Sequence, residues 1–437
     1  MVNKRFFNDA LWAVCGQLGS AIALLAGTRI LTELVSPEIY GPVALFNGFG
    51  ALGVTLFAYP FICAGMRLLP ECLNKRERSD LYRVVSGLTA RSTGLAIAIL
   101  AVAGGIYAYA AESDEAGLFA VSGFLLAATV RRELGVQLLI GERRQREASL
   151  WQTSDSLLRP LLAILLVWLV GAQAVWVLLG YALASVAANT AWSLFHRRQA
   201  EQSLRHRPTY ALSIKHDVWA YALPLIPMEL LLWVSGLGDR YVIGYLMTAT
   251  QVGLYAATYT LINEAFNRSA MVLLRSFQPV YFRHCSMKQM KQGFNILMIW
   301  IISVIAMGII GVLALVATKD WVASILLSKA YHSAVALMPA IAIGCALQAL
   351  GTVLAQPLLA AKRTRALLIG RACGALAAVV SIPIMLKLYG LQGAAIANPI
   401  YFCVEALAMA LLAKPWQLTG VEATDAPCLS AEEATAG

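Results

Sequence analysis

The residues that could do chemistry in this chain are ionisable side chains set inside long apolar runs. Glu264, Arg268 and Arg275 lie at i, i+4 and i+11 of one such run, which on a helix places them within about 40° of one face. Asp155 and Arg159 repeat the i, i+4 spacing in another run, and Arg29 is followed one turn later by Glu33. Arg91, Arg131, Arg132 and Arg371, with Glu133, Glu229 and Glu405, complete a set of eight interior arginines against six acids. Surplus arginine suits an anion, and the planar guanidinium fork matches phosphate oxygens in pairs. A second reading stays open for each group. Glu264–Arg268 and Asp155–Arg159 also fit ion pairs that lock helices together. Arg91 and Arg371 lie close enough to the ends of their runs to reach the interface. Arg131 and Arg132 also suit a helix that protrudes from the membrane. Arg29, far from the basic end of its run, fits these alternatives least well and is placed in a binding site.

Enzymatic chemistry has little support. There is no Gly-x-x-x-x-Gly-Lys-Ser/Thr phosphate loop, so no nucleotide hydrolysis of the usual kind is expected. The histidines at 196, 206, 216, 284 and 332 fall in connections, and the eight cysteines form no metal-ligand pairs. No cofactor is implied. Glu112, Asp114 and Glu115 cluster at one turn, with too little scaffold around them for a catalytic mouth.

The elements that must position the charged residues are membrane helices. Hydrophobic residues make up 59% of the 437-residue chain and charged residues 13%, with a mean hydropathy of +0.69, more apolar surface than a soluble core can bury. Twelve runs at about 10–34, 42–65, 84–109, 116–140, 151–170, 175–195, 218–238, 253–277, 293–317, 335–360, 366–388 and 393–413 approach the roughly 20 residues that a spanning helix needs. The runs are continuously apolar, which excludes the alternation of a barrel, and lipid offers the backbone no other partner. The fold class is therefore an all-α polytopic membrane protein.

Charge sets the orientation. The even-numbered connections and the two termini carry 22 Lys and Arg, the odd connections 4. The basic side is expected to be cytoplasmic, with both termini there. The net charge of +10 is thus topological and calls for no nucleic acid; the basic connections would meet anionic membrane lipids. The first run continues past cleavable length and reads as an uncleaved span. The expected organisation is a short cytoplasmic N-terminus (1–9), a first lobe (10–195), a basic linker (196–217), a second lobe (218–413) and a disordered tail (414–437).

The two lobes read as copies. Arg144-Gln-Arg146 is followed 27 residues after Arg144 by Gly171, and Arg363-Thr-Arg365 is followed 27 residues after Arg363 by Gly390. More weakly, Arg29 leads to Gly41 as Arg240 leads to Gly253. Six spans per copy give both the same orientation, with a transport path between them. The longest outer loop is expected at 318–334. In span seven, Pro224 and Pro227 should kink or break the inner half, a candidate hinge.

Three segments carry a family likeness: Thr28-Arg29-Ile30-Leu31 with Pro37–Ala44; Asp239-Arg240-Tyr-Val-Ile-Gly244 with Val252–Tyr259; and Leu388-Tyr-Gly390-Leu-Gln-Gly393-Ala-Ala-Ile-Ala397. In these the chain resembles the polysaccharide transporters of the multidrug/oligosaccharidyl-lipid/polysaccharide exporter superfamily, nearest to the Wzx-type O-antigen and repeat-unit flippases. The resemblance implies two six-helix lobes around a V-shaped cavity. It implies flipping of undecaprenyl-pyrophosphate-linked oligosaccharide across a bacterial inner membrane by alternating access, for lipopolysaccharide or a related glycan, beside a glycan polymerase or export machinery. Arg29, Arg240 and Arg268 match regions of cavity-facing charge and would hold the pyrophosphate. Arg91, Arg159, Arg275 and Arg371 would draw the head group in. Glu264 and Asp239 are the candidates to carry a coupling proton or sodium ion. A drug antiporter of the same architecture and a membrane glycan polymerase are the alternatives; surplus interior arginine argues against the first and short outer loops against the second.

Overall fold

The computed structural model describes residues 4–69, 72, 74–111, 116–142, 144–204, 211–287 and 289–414. The acidic turn at Glu112, Asp114 and Glu115 and the tail from 415 onward lie outside these residues. Every regular element described is helical. In chain order the α-helices are α1 (Lys4–Leu34), α2 (Pro37–Gly53), α3 (Tyr59–Leu68), α4 (Lys75–Ala111), α5 (Ala116–Gly141), α6 (Gln145–Val170), α7 (Ala174–Leu204), α8 (Ala211–Ala222), α9 (Leu225–Leu246), α10 (Ala249–Ser286), α11 (Met290–Leu326), α12 (Met338–Leu354), α13 (Gln356–Ala360), α14 (Thr364–Tyr389) and α15 (Leu391–Ala413). Counted through their kinks, nine of the described helices are long and apolar enough to cross a membrane. With α1, α5 and α10 they make twelve crossings.

Three crossings are broken, each beside a proline. A π-helical turn, Val54–Ala58, joins α2 to α3 ahead of Pro60; proline has no N–H for the helical ladder. Ser92 donates its hydroxyl to the Phe57 carbonyl there. The chain turns at Leu223–Pro224 between α8 and α9, so the seventh crossing is broken where its prolines predict; Pro227 falls in the first turn of α9, where a missing N–H is tolerated. The tenth crossing starts as a 3₁₀ segment, Lys329–Leu337, and bends at Ala355 before Pro357. This corrects the expected outer loop at 318–334. Helix α11 continues to Leu326 and the 3₁₀ turn begins at Lys329, because apolar Val322, Ala323 and Tyr331 pack into the core. Within the stretch 196–217, α7 runs to Leu204 and α8 starts at Ala211.

The repeat is visible in backbone detail. Arg144 and Arg363 precede α6 and α14 with nearly equal dihedrals, φ −93°, ψ 55° and φ −82°, ψ 64°. Each donates its N–H to the carbonyl five residues back, Leu139 and Leu358, at 2.9 Å. Each helix ends at a positive-φ glycine, Gly171 (φ 130°) or Gly390 (φ 59°), which other residues rarely tolerate. Packing repeats as well: α1 on α6 as α9 on α14, α5 on α7 as α12 on α15, α4 on α5 as α11 on α12.

The lobes meet chiefly along α2 and α10. These helices run in the same direction, from the far side towards the side that collects the basic connections. Thr248 caps α10 in a reciprocal box with Gln251, and Pro37 opens α2. Near these ends the contact is reciprocal. Gly41 lies against the Ala249 carbonyl and Gly253 against the Pro37 carbonyl. Residues 37 and 249, and 41 and 253, are equivalent in the repeat, so a local two-fold axis runs along the helices. Donors from the second lobe reach backbone carbonyls of the first: Tyr331 to Val35 at 2.9 Å, Tyr241 to Leu45 at 2.8 Å and Trp233 to Gly48 at 3.1 Å. One buried core cluster, including Leu31, Val43, Ile243, Tyr255 and Tyr331, spans both lobes on the far side. Towards the basic side the clusters separate, and α8 leans on α3 and α4 through Phe61 and Trp219.

A cationic cavity between the lobes

A cavity of about 180 Å³ opens between the lobes at mid-height. Its walls come from α1 (Ser20, Leu24, Gly27, Thr28), α2 (Tyr40, Val43, Ala44, Asn47), α5 (Arg132), α6 (Asp155, Ser156, Arg159, Pro160), α7 (Tyr181), α9 (Arg240) and α10 (Thr260, Arg268). Four arginines and one carboxylate therefore share one space. By helical rise from each helix's far-side end, Arg240 lies about 9 Å deep, Arg159 about 16 Å, Arg132 about 24 Å and Arg268 about 28 Å. The cations thus form steps across the hydrocarbon thickness rather than one cluster.

Their pairing differs. Arg268 Nε donates to Glu264 at 2.8 Å, and its Nη1 reaches across the lobe boundary to Gln17. Arg159 and Arg132 both contact Asp155, at 3.0 and 3.1 Å. Arg240 is 7% exposed and stands over the ring of Tyr259 at 5.3 Å. Among the described residues its Nε has no acceptor and its guanidinium forms no ion pair. The adjacent Asp239 is committed elsewhere, accepting from the Tyr255 hydroxyl at 2.5 Å and from the Arg240 N–H at 2.8 Å. The ring face offsets part of the cost of burying Arg240, and the buried Asp239 carboxylate is its nearest counter-charge, felt through space without a direct ion pair among the described residues.

Of the residues selected from sequence, Arg240, Arg268 and Arg159 come together here, with Glu264 attached to Arg268. Arg29 does not join them, against the expectation that it shares their cavity. It pairs with Glu33 and lines a separate far-side pocket with Lys329 and His332. The reason is rotation: Thr28 points into the cavity, and Arg29 lies about 100° further round the helix. Arg275 is exposed on α10 beyond Arg268, towards the basic side, and Arg91 is exposed on α4; neither lines the cavity. Arg371 pairs with Glu405 and lines a different cavity, inside the second lobe. Asp239 is buried outside the cavity wall. Arg132 was not selected, because Arg-Arg-Glu also suits a protruding helix; the signal that finds it is the acid Asp155, whose charge needs a second cation. Tyr40, Tyr181 and Asn47 carried no sequence signal beyond their type.

The sequence matches the polysaccharide biosynthesis protein family over residues 6–283. The chain belongs to that family. No curated protein sequence matches it. Among solved structures it is similar to an inward-facing multidrug resistance MATE transporter of the MOP superfamily, at TM-score 0.70 and 15% identity over 94% of this chain and 99% of the other. It is also similar to the lipid II flippase MurJ in an inward closed conformation, at TM-score 0.69 and 13% identity over 93% and 87%. The Vibrio cholerae MATE transporter VcmN, in a mutant form, follows at TM-score 0.64 and 13% identity over 95% and 97%. The fold of this multi-pass membrane protein is thus like that of these MOP-superfamily structures, two six-helix lobes in parallel orientation.

Proposed function

We propose that this protein is a transporter that flips an oligosaccharide carried on polyprenyl pyrophosphate, an O-antigen-like repeat unit, across the bacterial inner membrane. The lobes 10–195 and 218–413 would rock about the α2–α10 seam, with both termini and the basic connections in the cytoplasm. The observation that carries this reading is the interlobe cavity with four arginines and one carboxylate, Arg240 being buried with no direct ion pair among the described residues. A pyrophosphate neutralises such a cavity and takes the guanidinium forks in pairs. Arg275 and Arg268 would receive the head group from the basic side, and Arg240 would hold it before release. Hydroxyl and aromatic groups of Thr28, Tyr40, Tyr181 and Thr260 in the same walls suit the sugars. The second-lobe cavity beside Arg371 lies off this path.

With no nucleotide site, uphill flipping would draw on an ion gradient. Glu264 is the candidate carrier, because losing its charge frees Arg268 for phosphate. One charge crossing 100 mV supplies about 2.3 kcal/mol.

The test is a proteoliposome assay with a fluorescent undecaprenyl-pyrophosphate oligosaccharide. Arg268→Ala is expected to lower the flipping rate at least about tenfold and Arg268→Lys less, since a point charge lacks the fork. An unchanged rate in Arg268→Ala, or transport of organic cations in place of the lipid, would overturn the reading. In the same vesicles Glu264→Gln should abolish stimulation by a proton or sodium gradient; wild-type stimulation in that variant rules Glu264 out as the carrier.

A further inference from the structure

One carboxylate in the cavity has no role in the transport scheme. Asp155 on α6 is 1% exposed, yet it lines the cavity. Its Oδ2 meets two guanidinium groups at once, Nη1 of Arg132 from α5 at 3.1 Å and Nε of Arg159 at 3.0 Å. Its Oδ1 accepts from the Ser185 hydroxyl on α7 at 2.7 Å. The second fork nitrogen of Arg159 donates to Ser185 at 3.0 Å and to Thr129 at 3.1 Å. Arg132 keeps a buried Nε with no acceptor and a longer contact, 3.3 Å, to Glu133. Two arginines closing on one anionic oxygen is the arrangement an arginine pair makes around a phosphate oxygen. Helix cohesion accounts for it poorly, because a buried ion pair contributes little net stability over apolar packing, and α6 and α7 already meet at backbone distance where Gly180 faces Ala163.

We propose that Arg132 and Arg159 form a second phosphate subsite and that Asp155 is its resident counter-anion, exchanged for a phosphate oxygen when substrate enters and restored when it leaves. The inference rests on the phosphate reading of the cavity given above. Its logic is electrostatic. Two guanidinium groups this close repel each other in the empty cavity unless an anion lies between them. A cavity of four uncompensated arginines would also bind pyrophosphate too tightly to release it. A tethered carboxylate solves both problems, since it competes with the substrate at every cycle. Arg240, on the opposite lobe, has no carboxylate in direct contact among the described residues and holds the phosphate without such an exchange. No covalent bond changes in the exchange. Asp155 is thus a positioning residue that sets how long the substrate stays.

Asp155→Asn keeps the side-chain shape and an oxygen for Ser185 while removing the charge. With the full chain in lipid nanodiscs, inorganic pyrophosphate binding followed by calorimetry is expected to tighten at least about tenfold over wild type. Flipping of the pyrophosphate-linked lipid in proteoliposomes should fall by a similar factor as release slows. Ser185→Ala removes the hydroxyl that fixes Oδ1 and should move both readouts in the same directions by about two- to fivefold; it also serves where Asp155→Asn fails to fold. A structural anchor predicts a different pattern: lower thermal stability with binding unchanged or weaker in both variants, and that result overturns the proposal while leaving the transport reading in place. No pyrophosphate binding by the wild type overturns both.

Discussion

Arg240→Ala is expected to stop glycan export while leaving the protein inserted and close to wild type in stability. The two halves of this result come from one observation. Arg240 is buried, stacked on Tyr259, and without an acceptor at Nε or an ion-pair partner among the described residues. Removing Arg240 relieves a desolvation cost and breaks no direct ion pair, and the neighbouring Asp239 keeps its bonds from Tyr255 and the residue-240 N–H, whereas removing a partner from a satisfied pair leaves the other charge stranded. Substrate binding should suffer, because a charge-assisted hydrogen bond is worth roughly 1.5–3 kcal/mol, and two lost from one fork lower occupancy by well over about a hundredfold. Arg268→Ala should look different, since it strands Glu264 and costs stability as well as transport. Arg29→Ala gives the contrast: that side chain sits with Glu33 in the far-side pocket, and an exposed pair is worth little, so export should persist at more than about half of wild type. Surface glycan and membrane-inserted protein measured in the same cells separate the three cases. Normal export from a well-inserted Arg240→Ala variant removes Arg240 from the substrate path.

Much of the fold was legible because lipid leaves few choices. Continuous apolar runs must be helices there, the basic connections alternate, and each helix end in the repeat is set by one residue, Arg144 or Arg363 at the start and Gly171 or Gly390 at the end. The cavity was legible only in part, and the misses share a cause. Spacing gives angles between residues on one helix; it does not say which face of that helix meets a neighbour. On α10 the charges mark their own inward face, and Arg268 is where they point. Around Arg29, helix α1 carries Thr28, Thr32 and Glu33 on more than one face, so nothing in the run distinguished the Thr28 face, seated on α6 and the cavity, from the Arg29 face. On α5 the Arg131-Arg132 pair straddles two faces, and only the partner helix decides: Arg132 finds Asp155, and Arg131 is exposed. Proline breaks were readable at Pro224 because the helix has to stop there, but the lean of α8 onto the first lobe depends on the contact of Trp219 with Phe61, far away in sequence and visible only in packing.

Gly253→Ala is expected to open the far side of the transporter. A Cβ built on Gly253 falls 1.9 Å from the Pro37 carbonyl oxygen, and one built on Gly41 falls 2.1 Å from the Ala249 carbonyl oxygen. Both obstacles are backbone, fixed in the first turns of α2 and α10, so no rotamer change relieves them. Small residues are what allow two helices this approach. The contact lies in the far-side seam, together with the Tyr331–Val35 bond. Overpacking typically costs about 1–3 kcal/mol. Here the cost falls only on the state in which the seam is shut, so the lobe equilibrium should shift towards the far-side-open state by about 5- to 150-fold. The repeat makes a second demand: Gly41→Ala should shift it in the same direction by a similar amount, because the two contacts are related by the local axis. A Thr260→Cys reporter in the cavity wall, in an otherwise cysteine-free chain, reads the shift through its reaction with an impermeant thiol reagent added from the far side. Faster labelling in both glycine variants is the expected result, at least about fivefold over the reporter alone. Labelling that stays at the reporter's own rate in both would mean that α2 and α10 do not form the gate, and that the lobes part along some other line.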